Sequence, residues 1–467
     1  MLVAFTVENW KSYHESTTLS MVADRSRRHA DTLASPKYYK GLHILPIAAF
    51  YGGNAAGKTN LLDALRFVQE FVSHGYQDAM SIPVEPFVSG AEDDGTVSFS
   101  VQMLVEQPKG SFCPARGIQP ELIYQLDFDV TRMGVTYESL SWYDSKQQAH
   151  TLYTRDEYGE VEFSDEMVAK LDEKTANLLG AIAVGTGPRR LFLTNAAGQG
   201  QRVFLPVYEW FQNVLRNAST SMKSARVTDF MDDAKYSEQF GRIMHALGTG
   251  VDRIELERID VEALPQELQP VVQGLTSQID GDAMMQFMGS DTRYGDPSIR
   301  IYTVQLQNGA PIVRRVQTYR NGKAFGLYRE SSGTRRLLEI LPVFFDLWLH
   351  ANRVWTLDEV EREFHTDMTK ELLQGFLDGC TADTRTQVLL STHDLMLMDQ
   401  DIFRKDEIII VERNAAGEST LNAIGDYAGI RNDLDLRRSY LDGRFGGKPS
   451  IDSTEFKEAI DVCSEEK

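Results

Sequence analysis

The feature that most constrains the fold of this chain is a glycine-rich segment, GGNAAGKT, at residues 52–59. It follows an entirely apolar run, ILPIAAFY at 44–51, which is typical of a buried strand. It precedes a segment in which apolar residues repeat at helical spacing, namely Leu61, Leu65 and Val68. A match to GxxxxGK[ST] in the order strand, glycine loop, helix predicts a phosphate-binding loop.

Each part of this loop has a chemical role toward a nucleoside triphosphate. Backbone N–H groups of a glycine-rich turn curl around phosphate oxygens, and the dipole of the following helix favours negative charge. Lys58 is placed to neutralise the β- and γ-phosphates, and the Thr59 hydroxyl to ligate Mg²⁺. With ATP and Mg²⁺ as ligands, the predicted nucleotide-binding residues are Gly52, Gly53, Asn54, Ala55, Ala56, Gly57, Lys58, Thr59 and Asn60.

An acidic pair follows a second short apolar run. The run RVWTL at 353–357 ends in Asp358 and Glu359. An Asp at the end of such a strand holds the Mg²⁺ shell in P-loop enzymes. The next carboxylate, Glu359, can polarise the attacking water as a general base. A surface turn is the alternative for the pair alone, but its position downstream of the glycine loop favours Asp358 as metal ligand and Glu359 as catalytic residue.

The segment RESSGTR at 329–335 opens a predicted helix. Serine hydroxyls, backbone N–H groups and the helix dipole together make an anion site at such a terminus. An ordinary helix cap is the alternative reading. Because the segment lies shortly before the acidic pair, we predict that Ser331, Ser332 and Gly333 bind phosphate.

A histidine follows the buried strand VLLST. In a parallel sheet that carries a phosphate-binding loop, a side chain beyond the carboxyl end of a strand points toward the ligand crevice. We therefore predict that His393 hydrogen-bonds the γ-phosphate, with a purely structural histidine as the alternative.

The remaining patterns predict a split α/β fold. Period-two alternation at 97–105 and 122–130 predicts an antiparallel lobe with one buried face. An α/β pattern resumes after Glu330, with helices predicted at about 334–350 and at 366–377, and strands at 353–357 and 387–391. The predicted architecture is a P-loop head with a mixed sheet flanked by helices, divided into an N-terminal half with the β lobe (1–164), an inserted mostly helical region (165–295), a C-terminal half (296–447) and a polar tail (448–467).

Composition limits the other classes of function. A formal net charge of −20 repels nucleic acid as a whole-body field, but salt confines surface fields to roughly 8–10 Å. Three local basic groups, Arg25–Arg27–Arg28, Arg189–Arg190 and Arg314–Arg315, are candidates for DNA contact. A solvated surface is the favoured interpretation of each group, so DNA contact stays open but has no positive support. The three cysteines are far apart, as expected in a reducing cytosol. With no apolar run of 18 residues and no signal peptide, we expect a cytoplasmic protein without a membrane span.

In this order, the P-loop, SSG, Asp-Glu and strand-His segments resemble the ABC ATPase heads of the SMC, RecF and OLD group. The segments ESSGTRRLLEIL, LDEVEREFH, QVLLSTHD, DEIIIVER and YLDGRFGGKPSI are similar to stand-alone ATPases of bacterial anti-phage defence, in particular the ATPase subunit of PARIS-type systems. The resemblance implies that two heads sandwich ATP, so that Ser331 and Gly333 of one subunit act in trans on a nucleotide held by Lys58 of another. Residues 330–334 (ESSGT) form the signature segment and stand in place of the family's LSGGQ-like string. In this segment Ser332 replaces a glycine of that string.

This resemblance also implies partners and a role. It implies a Mg²⁺-dependent ATPase that forms a homo-oligomer, either a nucleotide-sandwich dimer or a larger ring of such dimers. The ATPase would act as sensor and scaffold for a separate effector, a Toprim-type nuclease, in response to a phage-encoded trigger. Because few residues follow VERNAAG in this sequence, we expect any Toprim-type nuclease to be a separate chain. The alternatives are a DNA-maintenance ATPase of RecF or SMC type that clamps DNA, and a nucleotide-bound scaffold that does not hydrolyse ATP.

Overall fold

The computed structural model describes residues 1–77, 80–88, 95–109, 111–115, 117, 119–218, 234–278, 283–290, 299–307, 310–431, 434–448, 453–457 and 460. The chain forms two compact units. The first comprises Met1–Asn217, Ala351–Glu359 and Leu377–Lys467, and the second comprises Ala218–His350 and Val360–Phe376. Both units are therefore assembled from segments that are distant in sequence.

The strands are β1 Leu2–Glu8, β2 Thr17–Ser20, β3 Ile47–Tyr51, β4 Val97–Glu106, β5 Glu121–Val130, β6 Val135–Tyr143, β7 Ala149–Arg155, β8 Val161–Phe163, β9 Leu215–Ala218, β10 Arg253–Ile259, β11 Ala283–Ser290, β12 Ile299–Gln307, β13 Ala310–Arg320, β14 Lys323–Phe325, β15 Asn352–Leu357, β16 Arg385–Ser391, β17 Ile408–Arg413 and β18 Ser419–Ala423. The α-helices are α1 Lys58–His74, α2 Asp165–Val168, α3 Glu173–Val184, α4 Phe192–Gly198, α5 Leu205–Glu209, α6 Ala234–Ala246, α7 Gln269–Gln278, α8 Ser332–Leu349, α9 Thr366–Leu377 and α10 Leu436–Leu441.

A six-stranded mixed sheet forms the centre of the first unit, in the order β18-β17-β3-β16-β15-β9. Strands β17, β3, β16 and β15 are parallel, and β18 runs antiparallel to β17. All five residues of β3 are buried, as expected for a strand with parallel neighbours and two covered faces. The predicted mixed α/β head is confirmed, and its two halves meet where β3 lies between β16 and β17.

The predicted antiparallel lobe is a seven-stranded sheet, β2-β1-β4-β5-β6-β7-β8. Burial alternates along β4, because successive side chains of a strand point to opposite faces. The fully buried Gln387 joins this lobe to the central sheet. Its side-chain amide donates to the Leu2 carbonyl at 3.0 Å and the Leu45 carbonyl at 2.9 Å, and its side-chain oxygen accepts from the Leu2 N–H at 2.6 Å.

Helix α1 leaves β3 through the glycine loop and packs its apolar stripe inward. Leu61, Leu65, Val68 and Val72 are fully buried, so the predicted helical spacing is confirmed. The helix ends at His74 and is capped by Gly75, which has a φ of 63°, a conformation that glycine adopts without a steric penalty.

The second unit contains a sheet in the order β10-β13-β12-β11, with β14 paired to β13. Strands β9, β10 and β11 lie in the stretch for which mostly helices are predicted, alongside α2 to α7. Strand β10 pairs in antiparallel register with β13, for example Leu256 with Val316. Local periodicity does not reveal a partner so distant in sequence, and for this reason the sequence prediction misses these strands.

Other predicted elements agree more closely. Helix α9 spans Thr366–Leu377, as predicted, and β15 and β16 begin one and two residues before their predicted starts. Of the predicted polar tail, only 448, 453–457 and 460 lie within the described residues. No helix among the described residues is long and apolar enough to cross a lipid bilayer.

Candidate nucleotide-binding site

The carboxyl ends of four adjacent parallel strands open into one cleft of about 410 Å³. The cleft is lined by residues that follow β3, β15 and β16 and by the last residues of β16 and β17, namely Asn54, Ala55, Ala56, Gly57, Lys58, Thr59, Asn60, Asp358, Glu359, Ser391, His393 and Arg413. Ligands of open α/β sheets bind at this end of the strands. The structure thus brings the predicted loop, acidic pair and histidine together in the first unit.

Steric limits explain two glycines of the loop. A Cβ atom at Gly52 would overlap the Val411 carbonyl oxygen. Gly57 has a φ of 111°, and a Cβ there would approach the Ser12 hydroxyl to 2.8 Å. Larger residues at these positions would force the loop away from β17 and from the N-terminal segment.

The N-terminal segment after β1 supports the same loop. The buried Tyr13 hydroxyl donates to the Gly57 carbonyl at 3.0 Å, and the Asn60 side-chain amide donates to the Ser12 hydroxyl at 2.8 Å. Burial raises the pKa of the Tyr13 phenol well above its ordinary value, so the hydroxyl keeps its proton. On the other side, the Ser419 hydroxyl donates to the Ala56 carbonyl at 2.7 Å. These contacts hold the loop in shape before any ligand binds.

The Lys58 ammonium lies inside the loop and is only 6% exposed. Its Nζ donates to the carbonyls of Gly52 at 2.9 Å and Gly53 at 3.1 Å. These bonds keep the cation beside the N–H groups of the glycine turn, where a phosphate would bind.

Oxygen atoms suited to Mg²⁺ meet at the start of α1. The Thr59 hydroxyl donates to Asp358 Oδ2 at 3.0 Å, and the Ser391 hydroxyl donates to Asp358 Oδ1. Mg²⁺ prefers oxygen ligands and is often held by one or two carboxylates together with substrate phosphates and water. The donor set of Thr59 and Asp358 therefore fits Mg²⁺. Among the described residues there is no group of three or more His, Cys, Asp or Glu arranged to hold a metal. Phosphate oxygens and water would complete the shell of a Mg²⁺ held by Thr59 and Asp358.

Glu359 has a strained backbone at the edge of the cleft. Its φ is 49°, which costs a non-glycine residue on the order of 1–3 kcal/mol. The Ser391 hydroxyl accepts a hydrogen bond from the Glu359 N–H at 2.8 Å and so helps to hold this conformation. His393 lines the same cleft and is exposed. Glu359 and His393 therefore line the same cleft as the glycine loop.

The signature segment belongs to the second unit. Ser331 is the N-cap of α8, and its hydroxyl accepts from the Thr334 N–H at 3.1 Å. Ser331 and Ser332 are exposed, whereas a Cβ at Gly333 would meet the Glu363 carbonyl oxygen at 2.8 Å. The predicted helix terminus is present two residues before the predicted start, with the capping hydroxyl already engaged by its own helix.

Glu330, the residue before the N-cap Ser331, is buried and hydrogen-bonded. Its carboxylate accepts from the Thr318 hydroxyl at 2.7 Å and pairs with the Arg320 guanidinium. These bonds tie the start of α8 to β13 within the second unit.

Sequence reasoning missed several residues of the site. Ser391 bridges the acidic pair, and its only local signal is its place two residues before His393. Ser12, Tyr13 and Ser419 support the loop from segments whose sequence carries no phosphate-binding pattern. Arg413 enters the cleft only because β17 lies beside β3.

Comparison with known proteins agrees with this geometry. The sequence matches the family model described as "AAA domain, putative AbiEii toxin, Type IV TA system" (AAA_21) over residues 47–399. No curated protein sequence matches the chain significantly.

Similar solved structures are heads of SMC proteins. An SMC head bound to the C-winged helix domain of ScpA is 11% identical, with a TM-score of 0.36, and the match covers 90% of this chain and 96% of that one. The SMC head domain from Thermotoga maritima is 12% identical, with a TM-score of 0.34 and coverage of 90% and 98%. A Smc head with an extended coiled coil, bound to the C-terminal domain of ScpA and derived from Pyrococcus furiosus, is 9% identical, with a TM-score of 0.36 and coverage of 90% and 95%.

The family match spans more than half of the chain and includes the P-loop, the acidic pair and the strand-His segment. Of the residues that line the cleft, all but Arg413 lie within the matched range. The protein is therefore a P-loop ATPase and belongs to the AAA_21 family of AAA domains.

Proposed function

We propose that this protein is a Mg²⁺-dependent ABC-type ATPase that binds ATP at Lys58 and hydrolyses it at a site completed by a second copy of the chain. The observation that carries this proposal is the hydrogen-bonded set beside the glycine loop. Ser391 joins Asp358 to the backbone of Glu359, and Thr59 donates to the same Asp358 carboxylate. The two carboxylates that we assign as metal ligand and general base are thus held next to the glycine loop.

The residues divide the work of phosphoryl transfer to water. Lys58 and the loop N–H groups orient the phosphates and offset their charge. Thr59 and Asp358 would hold Mg²⁺, which neutralises charge on the β- and γ-phosphates when bound. Glu359 accepts a proton from the attacking water, and His393 hydrogen-bonds the γ-phosphate.

Two substitutions separate binding from chemistry. Lys58→Ala removes the ammonium inside the loop and should abolish ATP binding in titration calorimetry. Glu359→Gln keeps the shape of the side chain but cannot accept a proton, and loss of a general base typically slows turnover about 10²- to 10⁴-fold. The Glu359→Gln variant should bind ATP and accumulate as a closed oligomer in light scattering, which also counts its subunits. Phosphate release at the wild-type rate would exclude Glu359 as the base.

The second half of the proposal is that Ser331, Ser332 and Gly333 act on the nucleotide of a neighbouring subunit. Its support is the exposed N-terminus of α8, an 18-residue helix, whose first turn carries N–H groups without intrahelical acceptors. Such a terminus attracts phosphate oxygens. One P-loop helix already faces the nucleotide in each chain, so a second terminus fits a sandwich of two heads.

Mixed oligomers test this arrangement. Ser331→Arg should spare ATP binding but block closure and hydrolysis, and Lys58→Ala should be inactive because it cannot bind ATP. Mixed together, the two inactive variants should regain activity, because one of the two shared sites then carries neither defect. Ser164→Arg is the matched control, since Ser164 also caps a helix through its hydroxyl. If subunits exchange but activity does not return at any ratio, each chain hydrolyses ATP alone.

We further propose that the ATPase is the sensor and scaffold for a separate effector, a nuclease, in anti-phage defence. The support is the likeness of its C-terminal segments to stand-alone defence ATPases. Two of the basic residues that left DNA binding open are paired with acids, Arg28 with Asp401 and Arg315 with Glu257, which disfavours the DNA-clamping alternative. Tagged Glu359→Gln protein should retain a nuclease from host extract. If no nuclease is retained and DNA stimulates ATP turnover of the wild-type protein, the alternative is favoured.

A further inference from the structure

Arg413 is the last residue of β17, the strand that lies directly beside the P-loop strand β3. On the other side of β3, β16 ends at Ser391, which contacts the acidic pair. The guanidinium therefore borders the cleft from the side opposite Asp358, with the glycine loop between the two.

Its position is set by a tight turn. The Asn414 side-chain oxygen accepts from the N–H groups of Ala416 and Glu418, both at 2.9 Å, and so fixes the hairpin between β17 and β18. The Nε of Arg413 donates to the Gly417 carbonyl at 2.9 Å. A Cβ at Gly417 would lie 3.3 Å from the Arg413 Nη2, so the glycine lets the guanidinium lie flat against the turn.

The second partner of this side chain is the loop itself. Its Nη1 donates to the Ala55 carbonyl at 3.4 Å. A guanidinium has five N–H donors, and these two bonds to neutral carbonyls leave about three of them for a ligand. The side chain is thus oriented toward the loop while most of its donors remain available.

The charge of Arg413 has no acidic counterpart within the described part of the chain, where its hydrogen bonds go only to Gly417 and Ala55. Other arginines of the same unit are paired, such as Arg385 with Glu121 and Arg404 with Asp406. In a chain with a net charge of −20, an arginine at a cleft without a carboxylate partner is a site for an anion. A guanidinium matches two phosphate oxygens at once.

We infer that Arg413 is a second phosphate-binding cation of this site and contacts the triphosphate of ATP rather than its base. This inference rests on the proposed nucleotide site. Lys58 then neutralises the phosphates from within the loop, and Arg413 does so from the β17 side.

The test compares equilibrium affinities for two probes, a non-hydrolysable ATP analogue and inorganic tripolyphosphate. Arg413→Ala should weaken both by roughly 10- to 100-fold, since a hydrogen-bonded charged group contributes that much. Arg413→Lys should recover part of the loss, because it keeps the charge but not the fork. Arg444→Ala is the matched control: Arg444 is also exposed and donates to a backbone carbonyl, that of Ala428 at 3.0 Å, but it does not line the cleft.

Two results would overturn the inference. The first is wild-type affinity of Arg413→Ala for both probes. The second is weaker binding of the ATP analogue with unchanged tripolyphosphate affinity, which would assign Arg413 to the base or ribose. Lys58→Ala separates this failure from failure of the site itself: if Lys58→Ala also keeps wild-type affinity, the nucleotide does not bind at this cleft. Thermal unfolding without ligand checks that each variant is folded.

Discussion

Replacing Ser391 with alanine tests how the acidic pair is held. The Ser391 side chain is fully buried, so no water takes the place of its hydroxyl without rearrangement. The hydroxyl donates to Asp358 and accepts from the Glu359 N–H. Loss of a hydrogen bond to a charged group costs about 1.5–3 kcal/mol, and an N–H left unpaired costs a similar amount when it is buried. Because Asp358 and Glu359 are partly exposed, solvent offsets part of this sum, and we expect a loss of about 1–3 kcal/mol in unfolding free energy.

The functional effect should exceed the effect on stability. Without Ser391, Asp358 keeps only the Thr59 hydroxyl among the bonds described above, and Glu359 loses the bond that supports its strained φ of 49°. Residues that orient metal ligands typically contribute about 10- to 100-fold to metal affinity or activity. We therefore expect the Mg²⁺ concentration for half-maximal turnover to rise by this factor. The turnover rate should also fall at saturating Mg²⁺, because the base is no longer oriented.

Steady-state phosphate release across a Mg²⁺ titration measures both effects. Ser439→Ala is the control, since Ser439 is also a buried serine whose hydroxyl donates to a backbone carbonyl, that of Asp435 at 2.9 Å. ATP affinity measured without Mg²⁺ should stay within a few-fold of wild type in both variants. Wild-type Mg²⁺ dependence and turnover in Ser391→Ala would refute the role given to this hydroxyl.

Three further predictions concern residues around the two sheets. Burial raises the pKa of Glu407 from 4.5 to about 8, so folding binds a proton between these values and stability should fall as pH rises, by up to about 1.4 kcal/mol per pH unit. In urea unfolding from pH 5 to 8, Glu407→Gln should flatten this slope, and an unchanged slope would contradict the assignment. The Gly447 carbonyl accepts from the Gly53 N–H of the glycine loop at 2.8 Å, and a Cβ at Gly447 would lie 2.6 Å from Ile410 Cγ2. Gly447→Ala should therefore lower thermal stability and ATP affinity more than Gly443→Ala, where φ is also positive but a Cβ would face open space. Equal losses would show that packing at Gly447 does not support the loop. Glu330→Ala leaves Arg320, which is 30% exposed, without its buried partner. Because solvent reaches the guanidinium, the unfolding free energy should fall by about 1–3 kcal/mol, measured by denaturant titration against Glu339→Ala on the exposed helix surface.

Local patterns in the sequence predicted the elements whose structure depends on near neighbours. The glycine loop follows from a contiguous eight-residue motif. Helices α1 and α9 follow from apolar residues whose spacing repeats within one or two helical turns. Helix α9 begins and ends at the predicted residues, Thr366 and Leu377. The alternation of apolar and polar residues along β4 and β5 likewise predicts a sheet with one buried face. Residues 52–59 and the acidic pair could be identified for the same reason, because their chemistry resides in contiguous segments.

Other features depend on pairings that no local pattern contains. Strand β10 is stabilised by β13, and its own sequence, RIELERI, is compatible with a helix as well. Ser391 and Arg413 become part of the site only through the strand order β17-β3-β16-β15. The order of strands in a sheet is a property of the whole fold, so these two side chains could not be selected from the many serines and arginines of the chain.

The position of β3 between β16 and β17 also has a consequence for synthesis on the ribosome. Strand β3 is complete once residue 51 emerges, but its two neighbours require residues 391 and 413. At typical rates of about 5–20 residues per second, the interval lasts on the order of tens of seconds. Throughout it, an apolar strand has both hydrogen-bonding edges uncovered, which is the condition under which nascent chains aggregate or recruit chaperones. The loop that follows β3 is translated early, yet it acquires the carboxylates of its cleft only when most of the protein has been made.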